Sequence, residues 1–270
     1  MSSTSITDAL NALPVPFVPF HKGDVWIAGA GPGAPHLLTL ETLYAIQHAD
    51  VMFHDALITN DILALVPQKT RVILTGKRYR CKDSCDQVDI HQQMIEAAQK
   101  NKRVLRLKGG DPLLFARGGE EAIALARAKI RIRILPGISA AFAACANAAI
   151  PLTHRDHHSA ITFATATLQQ DKTAPMSHIL EKTPLILYMV MHQLRAIAQQ
   201  LIDMGYSPQD HVAIIENASR ANEKITETRL QQCLTIDPSL YDTPALVIIG
   251  SIIRLRSIIK DYMKRESTHR

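Results

Sequence analysis

The feature that most constrains the fold is an alternation, along the first half of the chain, of short apolar segments with longer amphipathic stretches. The predicted strands are Val25–Ala30, Val51–His54, Arg71–Leu74, Val104–Lys108 and Ile132–Leu135. The predicted helices are Leu40–His48, Asp86–Lys100, Gly119–Lys129 and Ser139–Ala148. Strands that alternate with helices favour a parallel or mostly parallel sheet with helices on its faces. The predicted fold class is therefore α/β.

The pattern changes near Pro151, which predicts a second domain of the same class. Its predicted elements are strands at Ile161–Thr165, Leu185–Val190, His211–Glu216 and Ala245–Ile249, a helix at Gln193–Met204, and an added antiparallel strand at Thr226–Leu230. Pro136 and Gly137 interrupt the chain between the two patterns, and such a pair marks a turn or a boundary. We expect a flexible leader at residues 1–22, an N-terminal domain at 23–137 and a C-terminal domain at 138–265.

Composition excludes several classes of protein. The 270 residues are 47% hydrophobic and 20% charged, as in globular proteins rather than disordered or fibrous ones. No apolar run approaches the ~18 residues of a membrane span, and no secretory pattern opens the chain. Four cysteines, with only Cys81 and Cys85 close together, indicate neither a disulfide scaffold nor a metal site and favour the reducing cytoplasm. The net charge of +5 suggests an anionic partner, although no nucleic-acid-binding signature is present.

A glycine-rich turn, Gly29–Ala34, directly follows the first predicted strand. Glycine permits a positive φ and close approach of the backbone to a ligand. The string fits the loose dinucleotide fingerprint G-x-G-x-x-A, and Asp55 stands roughly where such a site has an acidic residue. However, Pro32 and Pro35 lie where a phosphate-binding helix would donate N–H groups, and proline has none. From these residues a nicotinamide site, another ligand site and a plain turn all stay open.

Three further loops carry unusual residues. The segment Leu107–Pro112, with Arg117–Glu121 after it, is longer than a turn requires. Such a loop can wrap a flat ligand, and its carboxylate can pair with a hydroxyl or an amine of that ligand. The segment Leu135–Ala140 offers Ser139 as a helix N-cap, a role that capping alone explains. The segment Ile150–Ser159 holds three histidines beside an arginine and an aspartate. This setting favours hydrogen bonding and anion contact over metal ligation.

These motifs occur in an order that resembles the tetrapyrrole methylases, the class III S-adenosylmethionine-dependent methyltransferases. The matching segments are Gly29–Pro35, Gly76–Arg78, Arg106–Glu121, Pro136–Ala140 and Ile150–Asp156. The resemblance runs from about Val25 to Ile249. The block Arg-Leu-Lys-Gly-Gly-Asp-Pro followed by Arg-Gly-Gly-Glu-Glu is similar to the subgroup of uroporphyrinogen-III C-methyltransferases, whereas Gly-x-Gly-Pro-Gly marks only the wider family.

The resemblance implies a fold, a reaction and a set of partners. Family members have two α/β/α domains with the active site in the cleft between them, usually in a homodimer. The subgroup methylates uroporphyrinogen III twice, through precorrin-1 to precorrin-2, at the branch point to sirohaem and cobalamin. Its cofactor is S-adenosyl-L-methionine, and S-adenosyl-L-homocysteine is a product. A tetrapyrrole substrate accounts for the basic charge, so we expect no nucleic acid, no membrane and no metal as a partner.

The resemblance also implies roles for individual residues. The S-adenosylmethionine site would be lined by Pro32, Gly109, Gly110, Asp111, Leu114, Ser139, Ala140, Met189, Ala218 and Ala245. Asp55 would be the proton acceptor and Lys77 the proton donor. Guanidinium groups pair carboxylates bidentately, and those in the matched loops are Arg78, Arg80, Arg117 and Arg155. Without the resemblance, Asp55 would be interpreted as a strand-end cap, and Lys77 and these arginines as solvated cations.

Several positions depart from the family pattern. Ala166, Val190 and Ala218 each stand where the family has glycine, and such changes narrow a site and disfavour a positive φ. They leave open reduced activity, a changed substrate, or a tetrapyrrole or cofactor binder without turnover. The rivals from other classes are a ribosomal-RNA ribose methylase and a nicotinamide-binding oxidoreductase.

Overall fold

Two sheets of five strands form the framework of the chain within the part that the structure describes, residues 5–75, 87–156, 158–166, 176, 179 and 183–267. The structure is a computed structural model. The chain divides into two units, Met1–Ser139 and Ala140–Arg270. Each unit contains one of the sheets. The predicted α/β class is confirmed.

The sheet of the first unit is wholly parallel. Its strands are β1 (Val25–Gly29), β2 (Val51–His54), β3 (Arg71–Leu74), β4 (Val104–Lys108) and β5 (Ile132–Leu135). Their order across the sheet is β3-β2-β4-β1-β5. All five residues of β1 and of β4 are buried, as expected for strands covered on both faces. The carboxyl ends of all these strands therefore meet at one edge.

Helices cover both faces of this sheet. They are α1 (Ile6–Asn11), α2 (Leu40–His48), α3 (Asn60–Leu63), α4 (Gln87–Gln99) and α5 (Gly118–Arg127). On one face Leu105 and Leu107 pack with Ile46 of α2, and on the other Val104 packs with Met94 of α4 and Leu125 of α5. Side chains alternate between the faces of a strand, so β4 supplies both cores.

The leader predicted for residues 1–22 contains ordered contacts. Ser5 caps α1, since its Oγ accepts a hydrogen bond from the Asp8 N–H at 3.1 Å. Further along, Phe20 is buried and its ring stacks on Trp26 of β1 at a centroid distance of 4.3 Å. The aromatic side chain thus attaches the leader to the core of the first unit, an arrangement that its Ser/Thr- and Pro-rich composition does not indicate.

The sheet of the second unit is mixed. Its strands are β6 (Thr162–Thr165), β7 (Leu185–Tyr188), β8 (His211–Glu216), β9 (Lys224–Arg229) and β10 (Ala245–Ile249), and its helices are α6 (Ala140–Ala148), α7 (Leu194–Asp203) and α8 (Leu255–Ser267). The order is β6-β7-β10-β8-β9, parallel only between β6 and β7. The predicted antiparallel pairing of the β9 segment is confirmed, with Ile215 opposite Ile225. Helices α6 and α7 pack on opposite faces of the sheet.

Candidate functional site

The glycine turns after β1 and β4 are joined to each other. The Gly110 N–H donates to the Gly31 carbonyl oxygen at 2.8 Å, and the Gly31 N–H donates to the Gly110 carbonyl oxygen at 3.2 Å. Both glycines have a positive φ, +71° at Gly31 and +70° at Gly110, which residues with a Cβ rarely adopt. The two loops therefore form one small backbone platform at the carboxyl edge of the sheet.

The turn after β5 packs against this platform. A Cβ added at Gly29 would lie 2.5 Å from the Gly110 carbonyl oxygen, and one added at Gly137 would lie 2.6 Å from the Gly29 Cα. Real Cβ atoms do not come this close to backbone, so both positions require glycine. The Asp111 carboxylate strengthens the junction, because Oδ2 accepts from the Gly137 N–H at 3.1 Å and Oδ1 accepts from the Leu113 N–H at 2.9 Å.

Several residues predicted to bind the cofactor lie on or next to this junction. Gly109, Gly110, Asp111 and Leu114 belong to the loop after β4, and Pro32 is buried in the loop after β1. A Cβ at Gly109 would lie 3.0 Å from the Leu57 Cβ, so this backbone is also close to a side chain of the loop after β2. Ser139 is buried and directly precedes α6, which begins at Ala140. The structure joins the two loops that carry Pro32 and the residues from Gly109 to Leu114 through the Gly31–Gly110 bridge.

The turn after β1 does not open a helix. Residues Pro35–Leu37 form a single 3₁₀ turn, and α2 begins only at Leu40. Its N-cap is Thr39, whose Oγ1 accepts from the Thr42 N–H at 3.1 Å. A dinucleotide site of the Rossmann type places the pyrophosphate at a helix N-terminus within the glycine turn. The backbone here does not provide that arrangement.

Asp55, the predicted proton acceptor, belongs to a cluster of charges at the same edge. An Arg106 guanidinium nitrogen lies 2.5 Å from its Oδ1, and the Lys108 Nζ lies 3.8 Å from its Oδ2. Both cations also contact Glu121 Oε1 at 3.0 Å, Arg106 through Nε and Lys108 through Nζ. Burial, and next the neighbouring Arg106 cation, lower the pKa of Lys108, while Asp55 and Glu121 oppose that shift.

Sequence reasoning gave no role to Arg106, Lys108 or Glu121 individually. The available signal was the presence of two cations in a strand whose other residues are apolar, since buried charges are rare unless they are paired. Glu121 gave no such signal because acidic residues are ordinary in the first turn of a helix.

The predicted substrate-binding arginines are in different settings. Arg117 has a left-handed backbone with φ +60° and is half exposed. Its guanidinium donates to Glu120 Oε1 at 3.1 Å and to Oε2 at 3.0 Å through Nε, and these hydrogen bonds raise its pKa. Arg155 is exposed in the loop after α6. A carboxylate bound by Arg117 would share the guanidinium with Glu120 or displace it.

The cofactor residues predicted in the second unit lie at strand ends. Met189 follows β7 with φ +52° and is half exposed, Ala218 is buried after β8, and Ala245 opens β10. Of the three C-terminal positions predicted to lack a family glycine, Ala166 and Val190 are fully buried in one core and Ala218 is buried in the other. Positive φ values occur at neighbours instead, Asn217 and Ser219 as well as Met189. The side chains that stand at these three positions are thus part of the packed cores.

Three predicted site residues lie outside the described residues, namely Lys77, Arg78 and Arg80. The cysteines at 81 and 85 do so as well. Within the described ranges, no cluster of three or more His, Cys, Asp or Glu side chains is arranged to hold a metal ion. In the same ranges every helix is too short or too polar to cross a membrane.

Comparison with known proteins defines the class. The family described as Tetrapyrrole (Corrin/Porphyrin) Methylases matches residues 24–234. The chain belongs to this family, as its motifs predict.

Two relatives and one solved structure are similar to this chain over most of its length. A uroporphyrinogen-III C-methyltransferase of Sinorhizobium sp is 39% identical over 259 residues, which cover 94% of this chain and 91% of that protein. A siroheme synthase of Psychrobacter sp. (strain PRwf-1) is 39% identical over 247 residues, 90% of this chain but only 50% of the synthase. The crystal structure of uroporphyrin-III C-methyltransferase from Thermus thermophilus complexed with S-adenyl homocysteine has a TM-score of 0.76 at 29% identity, over 86% of this chain and 99% of that one.

Proposed function

We propose that the protein is an S-adenosylmethionine-dependent methyltransferase that methylates uroporphyrinogen III twice, through precorrin-1 to precorrin-2. The observation that carries this proposal is the 39% identity, over 94% of the chain, to a protein named for that reaction. The chain spans about half of the siroheme synthases that it matches, so the proposal is limited to methyl transfer. The product would enter sirohaem or cobalamin synthesis.

The junction of glycine turns fits a nucleoside cofactor. A folded adenosyl group needs close approach of the backbone, apolar cover and a few polar anchors. The platform at Gly110 supplies backbone atoms, and Asp111 supplies carboxylate oxygens. Backbone atoms are packed closely at Gly29 and Gly137, which makes the support of this platform rigid. We propose that the remaining predicted residues, from Pro32 to Ala245, complete the contacts with S-adenosylmethionine. When bound, the cofactor supplies a sulfonium methyl group that an electron-rich carbon can attack.

Asp55 is the proposed proton acceptor. Methylation of a pyrrole carbon leaves a proton that must depart, and a carboxylate at that point accelerates such a step by ~10²–10⁴-fold. The Asp55 side chain is 24% exposed, whereas Arg106 behind it is 3% exposed. The carboxylate is therefore held by a buried cation and still reaches the surface. Lys77 is the proposed proton donor, on the basis of the Gly-Lys-Arg motif alone.

The substrate contacts follow from its charge. Uroporphyrinogen is a polycarboxylate, and we propose that Arg78, Arg80, Arg117 and Arg155 pair with its acidic side chains. The net charge of +5 supports attraction of such an anion. We further propose that the protein is a homodimer in the cytoplasm. The buried free thiols Cys145 and Cys233 are compatible with a reducing compartment.

The test is incubation of the purified protein with uroporphyrinogen III and S-adenosylmethionine, followed by mass spectrometry of the macrocycle. We expect the wild type to add one or two methyl groups, at a rate that falls by ~10²–10⁴-fold in Asp55→Asn and also falls in Lys77→Ala. Asp50→Asn is the matched control, because Asp50 precedes β2 as Asp55 follows it, and Asp50 also pairs with an arginine of the β4 segment, Arg103, at 2.7 Å. Its product should be that of the wild type.

Three outcomes separate the alternatives. No mass gain with retained binding of S-adenosylhomocysteine would indicate a binder without turnover. A mass gain only on another tetrapyrrole would indicate a changed substrate, for which the buried replacements Ala166, Val190 and Ala218 are the first positions to revert to glycine. Unchanged products in both Asp55→Asn and Lys77→Ala would reduce those residues to structural roles.

A further inference from the structure

Glu121 has no role in the proposed chemistry, yet its placement is unusual. Strand β4 alternates, with Leu105 and Leu107 in one core and Val104 in the other. Arg106 and Lys108 continue the Val104 face, toward α5, where Glu121 lies in the first turn. One end of an otherwise apolar layer therefore holds two cations and a carboxylate.

The contacts make Glu121 the shared anchor of both cations. Its Oε1 accepts from Arg106 Nε at 3.0 Å and from Lys108 Nζ at 3.0 Å. Its Oε2 is buried and has no hydrogen-bond partner among the described residues. A carboxylate that served only to satisfy buried charge would be expected to use both oxygens. Here one oxygen fixes two side chains at a common point.

Exposure decreases inward from Asp55. The side chains of Arg106 and Lys108 are each 3% exposed and that of Glu121 is 1% exposed, against 24% for Asp55. Glu121 is thus too deep to touch a substrate, and Asp55 is the member of the cluster that a substrate can reach. Each of the two cations contacts both carboxylates, so Arg106 and Lys108 each link Asp55 to Glu121.

Stability alone does not account for this arrangement. Well-packed apolar side chains often replace a buried ion pair without loss of stability, whereas removal of one partner leaves an uncompensated charge. Helix polarity does not require a buried acid either, because Glu120, exposed in the same turn, already provides a negative charge near the helix N-terminus. What the buried set does provide is two cations near Asp55, at 2.5 Å from Oδ1 and 3.8 Å from Oδ2.

We propose that Glu121 is a positioning residue for proton transfer: it holds Arg106 and Lys108 so that both cations face Asp55 and fix its carboxylate. The inference rests on the proposed role of Asp55 as proton acceptor. Loss of the Glu121 charge would free the inner ends of both cations, and Asp55 would then sample orientations that do not suit proton removal.

The test is Glu121→Gln, which keeps the shape and removes the charge, measured in the wild-type and in the Asp55→Asn background. In the wild-type background we expect kcat to fall by about 10–100-fold, a part of the ~10²–10⁴-fold gain of a general base. The KM for uroporphyrinogen III and the Kd for S-adenosylhomocysteine should change by less than about twofold, because neither ligand touches Glu121. In the Asp55→Asn background the same substitution should change kcat by less than about twofold, since residues that act as a unit are not additive.

Two controls separate positioning from a general loss of structure. Asp24→Asn removes the charge of another buried carboxylate, which pairs with Arg131. Asp24 directly precedes β1 and therefore lies at the end of the same sheet opposite to Asp55. It should leave kcat unchanged at temperatures below its unfolding transition. If Glu121→Gln does not fold, the double variant Glu121→Gln/Lys108→Met removes one charge of each sign. It should fold, and it should show the same dependence on the Asp55 background.

The outcomes are distinguishable. Wild-type methyl transfer with an unchanged kcat in Glu121→Gln, or with an equal loss in both backgrounds, overturns the positioning role and leaves the proposed function intact. Absence of methyl transfer by the wild type overturns the proposed function, and the positioning role falls with it. A loss confined to the background that retains Asp55 supports both.

Discussion

Replacement of Gly137 by alanine should damage both stability and cofactor binding. The new Cβ would overlap the Gly110 carbonyl oxygen and lie 2.6 Å from the Gly29 Cα. All of these neighbours are backbone, which cannot rotate away as the end of a side chain can. Overpacking of this kind costs about 1–3 kcal/mol, and we expect the upper part of that range. Displacement of Gly110 should also weaken S-adenosylhomocysteine binding by at least about tenfold, which corresponds to ~1.4 kcal/mol.

The assay is urea unfolding together with calorimetric titration of S-adenosylhomocysteine. Gly119→Ala is the matched control, because a Cβ there meets nothing within 4 Å and its φ is not in the left-handed region. That variant should be as stable as the wild type or more stable by about 0.4–1 kcal/mol, with unchanged affinity. If Gly137→Ala unfolds at the wild-type urea concentration and binds the ligand equally well, the glycine junction is not the rigid support that the distances indicate.

Three more predictions concern parts of the fold outside this junction. Hydrogen bonds from the Arg103 guanidinium hold the pKa of Asp50 at about 2 instead of 3.8, so the pair should add about 1–2 kcal/mol to the free energy of unfolding at neutral pH, after allowance for its partial exposure. Because the pKa of Asp50 is lowered in the folded state, this contribution should be lost as the pH falls from about 4 to 2. Acid-unfolding curves of Asp50→Asn should therefore lack the loss of stability that the pair causes over this pH range. Phe20→Ala should lower the free energy of unfolding in urea by about 3 kcal/mol, since Phe20 is buried against Trp26, and a cost below about 0.5 kcal/mol would show that the leader does not contribute. Burial raises the pKa of Cys145 to about 12, so peptide mapping should find it alkylated by iodoacetamide only after unfolding, and equal labelling of the native protein would contradict its burial.

Strands β1, β2 and β4 of the first sheet could be predicted from the sequence because they are buried along their whole length. Uninterrupted apolar runs such as Val25–Gly29 leave little choice of element. The order β3-β2-β4-β1-β5 could not be predicted, because it depends on which strands the crossover helices bring together. The place of Phe20 in the core was missed for a similar reason. Its contact with Trp26 is tertiary, while the composition of the leader describes only local preferences.

For the glycine loops and the charge cluster, too, the sequence predicts the local features but not the contacts between them. The turns at Gly29–Ala34 and Leu107–Pro112 were recognisable as candidate ligand loops, since ligands in open α/β sheets bind at the carboxyl ends of the strands. That Gly29, Gly110 and Gly137 contact one another is a fact of packing. Similarly, Arg106 and Lys108 indicate buried charges in β4, but their partner Glu121 lies 13 residues beyond Lys108. Only the docking of α5 on the sheet identifies it.

A crystal structure of the protein with S-adenosylhomocysteine would test most directly whether these loops form a cofactor site. The loops predict clear ligand density against the backbone of Gly109–Asp111, with the Gly31–Gly110 bridge intact. Density for the ligand elsewhere, with that turn facing only solvent, would contradict the assignment of the site and the methyl transfer that depends on it.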